Sequence, residues 1–213
     1  MRNIESNRIR GELVFILIRH GRTDWNIQRR FCGWADVPLN LEGLAQAEKL
    51  SVLTSQLDGL YSSPLSRAKQ TASSIGEPIL VDGLKELNQG VVEGLQDGVV
   101  RETFPTVYEG WKNAPDSVQF PQGESLSICQ DRVWRAVEEI ASLHNPGDVV
   151  GVVSHQVSIG LILCRINGTS RDDWRKYALK NTCGWIVCFS PQGWSVRPNV
   201  WSVETGLADS TRG

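Results

Sequence analysis

The sequence contains no apolar run near the ~18 residues that a membrane span needs, and its opening "MRNIESNRIRGE" lacks the apolar stretch of a signal peptide. These absences predict a soluble protein with no membrane partner. An excess of charge is lacking too: the formal net charge is −2 at pH 7, so no global basic surface announces nucleic acid. Any anion site must be local. Cysteine occurs only at Cys32, Cys129, Cys164, Cys183 and Cys188, an odd, scattered set that cannot form a complete disulfide framework within one chain. No C-x-x-C pair offers metal spacing. Buried thiols in a reducing, cytoplasmic compartment fit best. The sequon Asn167-Gly168-Thr169 has no sign of secretion beside it and is read as chance.

Histidine is scarce, with three in 213 residues. Two of them end apolar runs. "VFILIRHGRT" from Val14 delivers Arg19 and His20 at the tip of a core-like strand, and "VVGVVSHQ" from Val149 delivers His155 in the same way. The third, His144, stands beside the Asn145-Pro146-Gly147 turn and is expected to be solvated.

Between these strands the pattern alternates. Leu41, Leu44, Ala45, Ala47 and Leu50 recur at helical spacing behind an Asn40 cap. A short strand then runs to Ser62, with a cap at Ser63, Pro64 at the favoured first helical position, and Arg67 in the first turn. "PILVDGL" reads as a third strand, and "KELNQGVVEGLQDG" as a glycine-punctuated loop leading into an irregular segment that roofs the site from Val99 to Pro121. Leu126, Val133, Val137 and Ile140 mark another helix. A last helix stops at Gly168, and a terminal hairpin follows. The alternation predicts one α/β domain over 1–213, a three-layer α/β/α sandwich with a mostly parallel central sheet, a ragged N-terminus over 1–12 and a flexible tail over 203–213. Ligands of such sheets bind beyond the carboxyl ends of the strands, where His20 and His155 are delivered.

Arg19, His20 and Gly21 suit phosphate chemistry. A guanidinium presents a fixed fork of donors, a neutral imidazole is a competent nucleophile toward phosphorus, and glycine lets backbone approach a ligand. Arg67 and His155 would complete a cationic cradle, and one carboxylate near the mouth could protonate the leaving oxygen.

In order along the chain, "LIRHGRTDWN", "FCGWADVPLNLEGLAQA", "YSSPLSRAKQTA", "LKELNQGVVEG", "FPQGESL" and "VVSHQ" resemble the histidine phosphatase superfamily, in its phosphoglycerate mutase-like branch. The resemblance implies a phosphoglycerate mutase-like fold, His20 as the phosphorylated nucleophile, and Arg19, Asn26, Arg67 and His155 around the phosphoryl group. Thr23 matches the motif's hydroxyl position. Glu86 falls at the family's general acid, in preference to Glu93, which reads as a carboxylate favouring a helix start. The family needs no metal, no cofactor is expected for the phosphatase activity, and members are commonly dimers, so a homodimer is compatible. Trp34 lies in a loop that the family places near the site. Many members read Ser-His-Gly-Gly where this chain has Ser154-His155-Gln156-Val157, which puts a longer side chain, Gln156, where substrate can meet it.

The implied activity is a metal-independent phosphomonoesterase acting on a small phosphorylated metabolite: phosphoserine, phosphoglycerate, a sugar phosphate or α-ribazole phosphate. The competing readings are a phosphoglycerate mutase, which usually carries a longer insertion after the acid motif, and a phosphate-binding regulatory pseudoenzyme, which would have lost His20, Arg67 or His155.

Overall fold

A computed structural model of the chain describes residues 11–203, the side chain of Asn199 excepted. In chain order the regular elements are β1 (Leu13–Arg19), α1 (Asp24–Ile27), α2 (Leu41–Glu48), β2 (Gly59–Ser62), α3 (Ser66–Ser73), β3 (Ile79–Leu80), α4 (Asp97–Thr103), α5 (Pro105–Asn113), α6 (Leu126–Ser142), β4 (Val149–Ser154), α7 (Gln156–Asn167), β5 (Gly184–Ser190) and β6 (Gly193–Trp201), with short 3-10 turns between several of them. One six-stranded sheet runs in the order β3-β2-β4-β1-β5-β6. The first four strands in that order are parallel, and β5 and β6 add an antiparallel hairpin at one side.

The unbroken apolar character of β1 and β4 follows from coverage of both sheet faces. Phe15 and Leu17 face the layer that contains α6 and α7, whereas Val14, Ile16 and Ile18 face the layer that contains α3 and the 3-10 turn after α2. Each such side chain contributes about 1.5–3 kcal/mol relative to exposure. No helix among the described residues is long and apolar enough to cross a membrane.

Several expectations need correction. In α2 the cap is Asn40 as expected, but Leu41 and Leu44 are exposed, and the buried stripe is Gly43 and Ala47, continued by Leu50 and Leu53 in the 3-10 turn that follows. The reason is a crossing: a Cβ on Gly43 would lie 2.0 Å from Arg22 O, so the helix turns its smallest residue to the loop that follows β1. Ser63 caps no helix, because α3 begins at Ser66 behind Leu65. The segment expected to be irregular folds into α4 and α5, started by Pro105 at the first turn of α5. His144 is not solvated but packed between Tyr61, whose hydroxyl is 3.0 Å from Nε2, and Asp148, 3.3 Å from Nδ1. Of the ragged N-terminus, Gly11 and Glu12 are described, and Glu12 pairs with Arg197 on β6. Of the tail, only Val203 is described, and the other residues of both predicted segments lie outside the described residues.

Candidate active site

Parallel pairing of β1 with β4 puts Arg19 opposite Ser154, so the next residue of each strand, His20 and His155, emerges at the same edge. The His20 amide donates to Ser154 O at 3.1 Å, and the two imidazole centroids are 5.2 Å apart. Both rings are buried. The chain then turns sharply at Gly21, whose Cβ would stand 2.7 Å from Gly43 O, and the Gly21 amide donates to Thr71 Oγ1. This glycine answers to helix packing as much as to any ligand.

A carbonyl can only accept, and Gly21 O lies 2.7 Å from His20 Nδ1, so the neutral ring carries its proton there. The lone pair is left on Nε2. Burial, then the nearby Arg67 and Arg19, hold the pKa of His20 well below its ordinary 6.5. His155 is pushed the same way by burial, Arg67 and His20. Its Nε2 lies 2.8 Å from Ser63 Oγ, and its Nδ1 is buried without a hydrogen-bond partner.

Two guanidiniums flank the rings. Arg67, buried at the start of α3, donates to Gly33 O at 2.7 Å and Ala35 O at 2.9 Å, while its Nε has no partner. Arg19 donates through Nη1 to Leu179 O at 2.5 Å and to Gln156 Oε1 at 3.1 Å. That same oxygen accepts the Leu179 amide at 2.9 Å, so Gln156 serves Arg19 and the backbone beside it. Thr23 and Asn26 form a reciprocal cap on α1. The Asn26 carbonyl oxygen is also 3.5 Å from Asn181 Nδ2, which donates to His20 O at 2.8 Å.

Glu86 is buried against the start of α7. Its Oε1 accepts from the amides of Leu87 and Ser158 and from the Ser158 hydroxyl, and its Oε2 accepts only the Val157 amide, at 3.2 Å. Oε2 is therefore the oxygen with lone-pair capacity left for proton exchange. The Glu86 carbonyl is gripped by Trp34 Nε1 at 2.6 Å and Arg132 Nη2 at 3.0 Å. Arg132 also donates to Gly83 O, Lys85 O and both carboxylate oxygens of Glu124. Trp34 thus meets the Glu86 backbone, and its ring lies beneath Lys85 Nζ at 4.8 Å. Glu93 starts no helix: it ends a 3-10 turn, four residues before α4, and its Oε1 accepts the amides of Trp34 and Gln89.

The residues that sequence reasoning missed are Ser63, Glu124, Arg132, Ser158 and Asn181. Ser63 and Glu124 lie within "YSSPLSRAKQTA" and "FPQGESL", where neither was given a role in the site. Arg132 and Ser158 carry no local signal, because their partners are 46 and 72 residues away. Among the described residues no three His, Cys, Asp or Glu side chains group to hold a metal ion. A cleft of about 850 Å³ beside α2 touches this constellation at Arg19 and Asn181, and its other charged lining residues are Arg22, Glu42, Lys49 and Lys180.

The sequence pattern of the histidine phosphatase superfamily, branch 1, matches residues 15–200. The chain belongs to this superfamily. Phosphoserine phosphatase 1 of Hydrogenobacter thermophilus is 34% identical over 173 residues, which cover 78% of this chain and 82% of that one. The probable phosphoglycerate mutase GpmB of Proteus mirabilis is 30% identical over 205 residues, covering 91% and 92%. Among solved structures, Bacillus stearothermophilus YhfR aligns with a TM-score of 0.80 at 28% identity, over 86% of this chain and 95% of that one. Membership makes the chain an enzyme of the phosphatase type.

Proposed function

We propose that the chain hydrolyses a small phosphorylated metabolite through a phosphohistidine at His20 Nε2. The lone pair of Nε2 attacks phosphorus, the ester P–O bond breaks, and its electrons leave with the alcohol oxygen, which takes a proton from Glu86. Glu86 then takes a proton from water as the water oxygen attacks phosphorus. The P–N bond breaks, its electrons return to Nε2, and phosphate departs. Arg19, Arg67, His155 and the Asn26–Thr23 turn surround the anion, supplying the positive charge that a metal supplies elsewhere.

The observation that carries this reading is the state of His20: buried, neutral, and anchored at Nδ1 so that Nε2 keeps its lone pair beside a buried arginine. A cytoplasmic location, supported by an odd set of five cysteines that cannot form a complete disulfide framework within one chain, and a homodimer, supported only by the family's habit, complete the reading. The alcohol half is drawn from phosphoserine, phosphoglycerate, sugar phosphates and α-ribazole phosphate, and the phosphoserine phosphatase relative puts phosphoserine first.

The test is phosphate release from a panel of these esters, with and without chelator. Release from at least one ester at a rate unchanged by chelation is the expected result. Interconversion of phosphoglycerates without release would make the chain a mutase, as the Proteus mirabilis relative is named. Phosphate binding with no turnover would make it regulatory.

A further inference from the structure

Ser63 was expected to cap a helix, yet its hydroxyl points the other way. The residue follows β2 and is fully buried, with its amide held by Val153 O at 3.0 Å, two residues before His155. Its Oγ accepts the Leu65 amide at 3.3 Å and lies 2.8 Å from His155 Nε2. His155 is equally buried and makes no side-chain cap on α7, and its Nδ1 has no partner.

Counting protons decides the arrangement. A serine hydroxyl has one proton and two lone pairs, and a neutral imidazole has one N–H and one bare nitrogen. Were the imidazole proton on Nε2, Ser63 Oγ would accept both N–H groups, and its own proton would stay in a buried pocket without an acceptor. The bare Nδ1 would then be an acceptor in a site built for an anion. With the proton on Nδ1, Ser63 donates to Nε2, accepts from Leu65 and is satisfied. The remaining N–H belongs to the one ring atom without a partner, in a ring flanked by His20 and Arg67. Burial and the neighbouring cations keep this ring neutral, so it cannot gain a second N–H by protonation.

We propose that Ser63 is a positioning residue that selects the Nδ1–H tautomer of His155 and so turns that imidazole into a hydrogen-bond donor for the phosphoryl group. The proposal rests on the reading of His155 as a phosphoryl contact. Both site histidines then carry their proton on the same atom for opposite ends. In His20 the Nδ1–H is tied to Gly21 O, which leaves Nε2 free to attack, whereas in His155 the Nδ1–H is itself the working group.

The experiment uses full-length enzyme with ¹⁵N-labelled histidine, comparing wild type, Ser63→Ala and Ser63→Thr, with the His155 resonances assigned from a His155→Gln variant. Ring nitrogen shifts report the tautomer directly, and competitive inhibition by vanadate reports the phosphoryl site. Wild type and Ser63→Thr should show a protonated Nδ1 and a bare Nε2. Ser63→Ala should lose that signature and bind vanadate about tenfold or more weakly, the scale of one hydrogen bond to a charged group. A wild-type His155 protonated on Nε2 would overturn the proposal, as would a Ser63→Ala enzyme that keeps the Nδ1–H signature. If Ser63→Ala does not fold, the wild-type tautomer and the Thr variant still decide. A changed tautomer with unchanged vanadate inhibition would overturn the phosphoryl role of His155, separately from the control exerted by Ser63.

Discussion

The imidazoles of His20 and His155 face each other with centroids 5.2 Å apart and planes inclined by 57°, and burial beside Arg67 keeps both uncharged. Two neutral rings next to a buried Arg67 and a half-buried Arg19 make a site whose charge state is set by what it excludes. Protonating either ring would add a cation to a pocket that already holds two guanidiniums.

Stability should record this. Each ring has a folded pKa below its ordinary 6.5, so above that pH neither folded nor unfolded chain binds the proton. Below it the unfolded chain takes protons that the folded site refuses. Stability is therefore full above pH 6.5 and falls as pH drops, by at most about 1.4 kcal/mol per pH unit for each histidine. Urea unfolding of wild type and His20→Asn between pH 6.5 and 5 should give a shallower slope for the variant; parallel slopes would show that His20 titrates normally.

His20→Ala should abolish turnover while leaving the far-UV signature and unfolding midpoint close to wild type. Acid-labile phosphoryl groups trapped on wild type by rapid quench should be missing from the variant. Activity above one hundredth of wild type would remove His20 from the mechanism.

Glu86→Gln keeps the shape but cannot donate the proton, and general acid catalysis typically contributes ~10²–10⁴-fold. The loss in kcat/KM should be far larger on an alkyl phosphate than on an aryl phosphate with an activated leaving group. Glu93→Gln should be nearly silent on both esters, because the amide oxygen can still accept from Trp34 and Gln89. Leaving-group dependence in Glu93→Gln would transfer the acid role to that residue.

Arg132→Met removes one of the two donors to the Glu86 carbonyl, leaving Trp34, and takes the only counter-ion shown for Glu124 away, leaving its carboxylate the Asn88 amide. Breaking such a pair from one side costs on the order of 3 kcal/mol. The double variant Arg132→Met/Glu124→Gln should recover much of that stability without recovering the alkyl-ester rate. Denaturant midpoints and kcat measured together separate these effects, and a full return of rate in the double variant would leave Arg132 a purely structural role.

Where local pattern and tertiary demand agree, the sequence was readable. The buried runs of β1 and β4, the Asn40 cap and the stop at Gly168 all follow from backbone rules and apolar spacing. Leu41 and Leu44 misled because helix periodicity cannot reveal that the Arg22 loop crosses at Gly43. That His20, Arg19 and Arg67 would gather at one place was legible because they sit in short motifs. Ser63, Ser158 and Arg132 were not, since a serine or arginine at an ordinary position acquires meaning only from the chain folded against it.

Arg67 reaches Gly33 and Ala35 across a loop whose own shape is enforced from behind, with Gly33 at φ +48° and no room for a Cβ against the Glu93 carboxylate. The guanidinium is consequently seated before any anion arrives. An arginine that must be recruited gives up as much as about 2 kcal/mol of rotamer freedom on binding, whereas this one has already given it up during folding. On the proposed reading of Arg67 as a phosphate ligand, phosphate affinity then rests in part on the carbonyls of Gly33 and Ala35, and Gly33→Ala should raise KM while every group proposed to face the substrate keeps its identity.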